Sequence, residues 1–254
     1  MYDEEELSLL DVDEALESPL DNLPPVSEAI AEETGPDADE MLALLDSDDK
    51  TQRLMALRAF CEIKDPRATA PLIQLLANDC PMVRVSAAYA LGRNPAPEAV
   101  QPLIQQLAQD WNGYVRKGVV WALGNCQEPK AIKPLISSLM SDIAAVRLWA
   151  ASSLGQVGLV EAEAYSFVTI PALVSSLKHD LTPAVRSNCA WSIGQLCSAI
   201  EVSDIYKSGL EALLEALNDE DFGVQEDAKA ALIHLGDPQG LQVLEELENT
   251  GEID

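Results

Sequence analysis

Basic residues are scarce in this chain. Sixteen Lys and Arg face 43 Asp and Glu, a formal net charge of −27, and the first base along the sequence is Lys50. No basic run offsets that excess, so phosphate backbones and anionic membrane surfaces would be repelled and no nucleic-acid partner is expected. Histidine is scarcer still, with only His179 and His234. There is no Ser-His-Asp order, no metal motif, no phosphate-cradling glycine loop and no distinguished carboxylate pair, so neither a self-sufficient enzyme nor a cofactor is expected. The five cysteines (Cys61, Cys80, Cys126, Cys189 and Cys197) form no Cys-x-x-Cys pair. They read as buried or half-buried thiols in a reducing compartment, with Cys80, in a turn, as the candidate for reactivity. Apolar stretches are broken by charges well before 18 residues, which predicts no transmembrane span, and the acidic start is unlike a secretory signal. A cytoplasmic protein is expected. Strand-like alternation is also missing, which points to an all-α chain.

What the chain does have is a segment that returns. Val83-Arg84 leads to Leu91-Gly92, Val115-Arg116 to Leu123-Gly124, Val146-Arg147 to Leu154-Gly155, and Val185-Arg186 to Ile193-Gly194. Val224-Gln225, leading to Leu232-Ile233, is a degraded copy, and Arg53 marks an earlier, less regular one. Arg53, Arg84, Arg116 and Arg147 follow one another at 31, 32 and 31 residues, and Arg186 and Gln225 then come at 39 each. The longer intervals contain extra segments, roughly 159–170 and 198–209, read as loops or helix extensions between repeats.

Each unit reads as two helices. A Pro-Leu-Ile-x-x-Leu block, as in 71–76, 102–107 and 134–139, gives an apolar helical stripe with proline tolerated in a first turn. A break carrying Asp79, Asp110, Asp142, Asp180 or Asp219 follows, and Asp there reads as an N-cap. The second helix is rich in Ala, and Gly92, Gly124, Gly155 and Gly194 near its end serve termination or close contact.

The text from Asp65-Pro66-Arg67 to Leu91-Gly92 resembles the HEAT repeat, and more narrowly the short HEAT-like repeats of phycobilisome bilin lyases. The resemblance covers about residues 40–245. It implies a right-handed α-solenoid of about six HEAT-like helical hairpins, in which the repeated Asp and Arg form a ladder between adjacent units. Residues 1–38 are then an acidic tail, and 39–254 the repeat solenoid with a polar C-terminal cap.

Residues 1–40 hold fifteen Asp or Glu and no Lys or Arg. Such a tail reads as a disordered solubilising segment, or, because it also carries Leu7, Leu9, Leu10, Val12, Leu16, Leu20 and Leu23, as one that docks on a basic partner or folds back along its own superhelix.

Counting from each arginine, the core needs positions +3, +6 and +7, which leaves +2, +5 and +9 for the opposite, concave face. Those columns hold Tyr89, Trp121 and Trp191 at +5, Trp149 at +2, and Arg93, Asn125, Gln156 and Gln195 at +9, with Lys117 beside Trp121 as a rim contact. Trp, Tyr and Arg dominate binding hot spots because they bury large area at low entropy cost. The columns read either as a partner-binding surface or as aromatics packed within the superhelix. Trp111 and Tyr114, in a turn, are expected to pack on the ridge.

A non-catalytic scaffold, adaptor or assembly chaperone gripping a partner protein is the function these features suggest. The lyase resemblance implies an alternative, a bilin lyase subunit that handles a phycobilin on a phycobiliprotein. The segments 119–125 and 189–195 are also similar to a cyanobacterial HEAT-repeat partner of an A-type iron–sulfur carrier, which implies an iron–sulfur assembly protein as partner.

Overall fold

A computed structural model describes residues 36–250. The expected tail lies almost entirely outside them. Among the described residues the chain forms helices and no strands. Six hairpins follow one another: α1 (Ala38–Leu45) with α2 (Lys50–Ala59), α3 (Thr69–Leu75) with α4 (Pro81–Arg93), α5 (Pro97–Gln109) with α6 (Gly113–Cys126), α7 (Ile132–Ser141) with α8 (Ala144–Gly158), α9 (Ala162–His179) with α10 (Pro183–Ser198), and α11 (Asp204–Ala216) with α12 (Phe222–Leu235). A last helix, α13 (Pro238–Thr250), packs on α11 and α12. Tyr206 at the start of α11 donates its hydroxyl to Asp237 just before α13, at 2.7 Å. This is an α-solenoid.

The second helices, α4 to α12, stack directly on one another, whereas the first helices touch less. A stack that is tighter on one side curves toward it, so the second helices line the inner face. The tight spacing comes from Gly92, Gly124, Gly155 and Gly194, all inside helices. An added Cβ at Gly124 would meet Ser153 Oγ at 2.6 Å, one at Gly155 would meet Ser192 Oγ at 2.8 Å, and one at Gly194 would meet Ala231 Cβ at 2.8 Å. Of the two roles open to these glycines, close contact is the one observed. Two hydroxyls pin the same seam: Ser153 donates to Val120 O and Ser192 to Ala151 O, each at 3.0 Å.

The ladder implied by the resemblance is present, with a correction. Arg84 pairs with Asp110, Arg116 with Asp142, Arg147 with Asp180 and Arg186 with Asp219, each through Nε and Nη2. In each case Nη1 donates to a carbonyl of the turn before its own helix, such as Asp110 O for Arg116 at 3.0 Å. The ladder Asp residues are not N-caps. Asn112, Ile143, Thr182 and Asp221 hold that place, and the Asp Oδ1 that takes Nη2 also accepts a backbone N–H of the turn, as Asp110 Oδ1 does from Asn112 N at 2.9 Å.

Asp79 departs from the pattern. The turn residue two before the N-cap Cys80 is Asn78, which accepts from Cys80 N at 3.0 Å, and Asp79 is exposed. Arg53 therefore meets no carboxylate at the rung position, and its Nε is buried without a hydrogen-bond partner. At the other end Gln225 keeps only the carbonyl bond, to Asp219 O at 2.6 Å.

Proline placement also differs. Pro71 and Pro134 fall in first turns, but α5 and α9 start earlier than the Pro-Leu-Ile pattern suggests, which puts Pro102 and Pro171 in helix interiors. The segment 159–170 is a helix extension: a 3-10 turn, Leu159–Glu161, runs into two extra turns of α9. One 18-residue window within Ala144–His179 reaches a mean hydropathy of 1.4. That stretch is α8 and α9 folded against each other, a hairpin of the array.

Candidate partner-binding face

The inner-face columns come together as two groups. In the first, the rings of Tyr89 and Trp121 lie 5.3 Å apart at 44°, and the Arg93 guanidinium sits over Trp121, 5.5 Å from its centroid. The glycine seam makes room for both rings. Trp121 occupies the space a side chain at Gly92 would fill, and a Cβ at Gly118 would touch Tyr89 at 3.4 Å. Arg93 is exposed and tops this group as a cation held by a π face. In the second group Trp191, 47% exposed, lies 6.1 Å from His234 in the next repeat. Between the groups, Ser152 donates to Asn188 Oδ1 at 3.0 Å, and half-buried Trp149 holds its indole Nε1 out of solvent with no hydrogen-bond partner. Gln156 lies back over Gly124, where its Oε1 would be 2.8 Å from an added Cβ. Asn125 and Gln195 are half-buried at the matching positions of their helices.

Lys117 is not the rim contact its place beside Trp121 suggests. It is 1% exposed, because position +1 points into the stack, as Val85 and Leu148 do in the neighbouring repeats. The +2 column is likewise closed at its start, where Ser86 and Gly118 are buried. Trp111 does not pack on the ridge: the residue after a ladder Asp is turned outward, which leaves Trp111 76% exposed and Ile143, Leu181 and Glu220 exposed at the equivalent place. His234 stands nine residues after Gln225, in the degraded last copy, and only the register of that helix against the one before brings its ring to Trp191.

The cysteines separate by environment. All five are free. Burial raises the thiol pKa of Cys61 to about 11 and that of Cys197 to about 12, and raises those of Cys126 and Cys189 as well. At Cys80 burial also acts upward, but the Val83 N–H, the Lys50 side chain and the Met82 N–H outweigh it, and its pKa lies below the ordinary thiol value. Among the described residues no three or more His, Cys, Asp or Glu converge as a metal site.

The comparisons agree with this architecture. A family model described as HEAT repeats matches residues 38–111, 100–169 and 170–252. No curated protein matches the chain. Among solved structures it is similar to an engineered protein (25% identity, TM-score 0.58, covering 79% of this chain and 98% of that one). It is similar in fold to a designed armadillo repeat protein in complex with the peptide (KR)4 (24%, 0.55, 79% and 100%). A chain of the Kap95p–RanGDP structure is also similar in fold (18%, 0.60, 85% and 34%). No catalytic family is indicated. With family matches running from residue 38 to 252 and a ladder of paired Arg and Asp joining its hairpins, the chain belongs to the HEAT-repeat family.

Proposed function

We propose that this protein is a non-catalytic scaffold or adaptor that grips a segment of a partner protein along its inner face. The observation that carries this reading is the pairing of two aromatic groups on that one face, Tyr89–Trp121–Arg93 and Trp191–His234. Exposed Trp191 and exposed Arg93 supply the anchors, and Asn125, Gln156 and Gln195 supply amides able to donate to and accept from a peptide backbone. The designed armadillo neighbour binding a peptide lends support by analogy of fold. A reducing, cytoplasmic setting suits the five unpaired thiols.

Trp191→Ala combined with Arg93→Ala is the test, because Trp121 and Trp149 also pack against the stack. Wild type and variant are used to capture partners from a photosynthetic lysate, with helical content followed by circular dichroism. A colourless partner lost with these side chains is the expected result, and an iron–sulfur assembly protein would be one such partner. Loss of a coloured phycobiliprotein would favour the bilin-lyase alternative, which rests on the repeat resemblance. Capture unchanged by the substitutions would sink the inner-face reading.

A further inference from the structure

The outer surface of α9 is unlike that of any other first helix. Val160 in the turn before it, then Ala164, Phe167, Val168 and Pro171, are all exposed, and they recur at four, seven, eight and eleven residues, one helical stripe. Phe167 is 60% exposed. The same surface on α5 is Glu98, Gln101 and Gln105, and on α11 it is Lys207, Glu211 and Glu215. The buried side of α9 is already complete, with Ile170, Leu173 and Leu177 packed in the core. The outer stripe is therefore a second apolar face that the solenoid does not use, and apolar surface of this kind marks a docking site.

We propose that residues 7–23 of this same chain dock on the outer face of α9. That segment carries six leucines and Val12 with five acids and no base. Aligning ladder residue Asp142 with Asp180, and so buried Leu135 with Leu173, sets Lys130 and Lys133 of the α7 start level with Val168 and Pro171, and Lys207 stands at the start of α11 on the other flank. In a protein of net charge −27, an apolar stripe between lysines is the complement of an apolar, acidic segment. Glu161 and Glu163 lie at the N-terminal end of the stripe, so leucines rather than acids must meet that end.

The reach is sufficient. First helices run parallel, so Pro36 lies on the same edge of the array as the start of α9, four repeats away. Helices packed 8–10 Å apart put that distance at about 40 Å. The 13 residues from Leu23 to Pro36 span up to about 45 Å when extended. Tethering raises the effective concentration of the segment far above that of any second molecule.

Zero-length carbodiimide coupling of carboxylates to lysines, mapped by mass spectrometry on the full chain, tests this. Links from Asp11, Asp13, Glu14 or Glu17 to Lys130, Lys133 or Lys207 are expected in the monomer band at every protein concentration. Phe167→Glu should reduce them about tenfold, the effect of losing one large apolar contact. Leu9→Ser with Leu16→Ser, which leaves the array untouched, should reduce them equally. Absence of these links, or links indifferent to both variants, would overturn the proposal. So would links confined to a dimer band and lost on dilution, which would assign the face to a second copy.

Discussion

Asp110 receives both Nε and Nη2 of Arg84, at 2.7 and 2.8 Å, and both side chains are shut off from solvent. Gln106 donates to the same carboxylate at 2.6 Å. Removing the carboxylate leaves a buried guanidinium with one partner set missing, which costs far more than the pair contributes over an apolar substitute. Asp110→Ala is expected to lose about 3–5 kcal/mol, read as a lower denaturant midpoint with an unchanged slope. A loss near that of an exposed ion pair, under about 1 kcal/mol, would show that water replaces the carboxylate.

Asn78 suggests the opposite experiment. Arg53 has its carbonyl bond to Ser47 O at 2.7 Å, but its Nε is buried and unpartnered because the rung position is neutral. Asn78→Asp supplies the missing acceptor and should stabilise the first two repeats by about 1 kcal/mol or more. In an Arg53→Gln background the gain should vanish, and a double-mutant cycle measures that coupling. Equal gains in both backgrounds would assign the effect to the turn.

Gly155 tests the seam. Alanine is the better helix former by about 1 kcal/mol, so propensity alone predicts stabilisation by Gly155→Ala. The new Cβ would lie 2.8 Å from Ser192 Oγ and 3.0 Å from Ser192 Cβ, and that hydroxyl is held by Ala151 O. Overpacking should win, with a net loss of about 1–3 kcal/mol. Ser192→Gly in the same chain should recover much of it. A stabilised single variant in thermal melts would contradict the close-contact role.

The repeat, its two helices and the ladder arginines were legible because each rests on a local period or a fixed spacing. The core positions +3, +6 and +7 were legible for the same reason: Ala87, Ala90 and Leu91 are all fully buried. Lys117 was misplaced because helical periodicity treats a lysine beside a tryptophan as surface, while the adjacent repeat covers it. Asp79 was misplaced by one residue, since a repeat alignment cannot distinguish Asn78 from Asp79 until the turn is built. The two inner-face groups were legible as columns only. Their division between Trp121 and Trp191 depends on where Gly92 and Gly118 leave room for rings.

Acid should dismantle the ladder from its carboxylates. At Asp110 burial pushes the pKa up, but Arg84, the Asn112 N–H and the Gln106 amide together hold it below the ordinary carboxylate value. Asp219 is lowered in the same way, chiefly by Arg186 against burial. A depressed folded-state pKa contributes stability that is present above the unfolded value, about pH 4, and is lost as pH falls through the folded one. Surface charge complicates the raw curve, because protonating exposed acids relieves the repulsion of a −27 chain while the ladder is failing. The difference between wild type and Asp110→Asn cancels the surface term. That difference should be constant from pH 7 to about pH 5 and shrink below about pH 4, measured by urea unfolding at fixed ionic strength. A difference that instead grows on acidification would mean that the Asp110 carboxyl is raised in the folded chain and that burial, not Arg84, governs it.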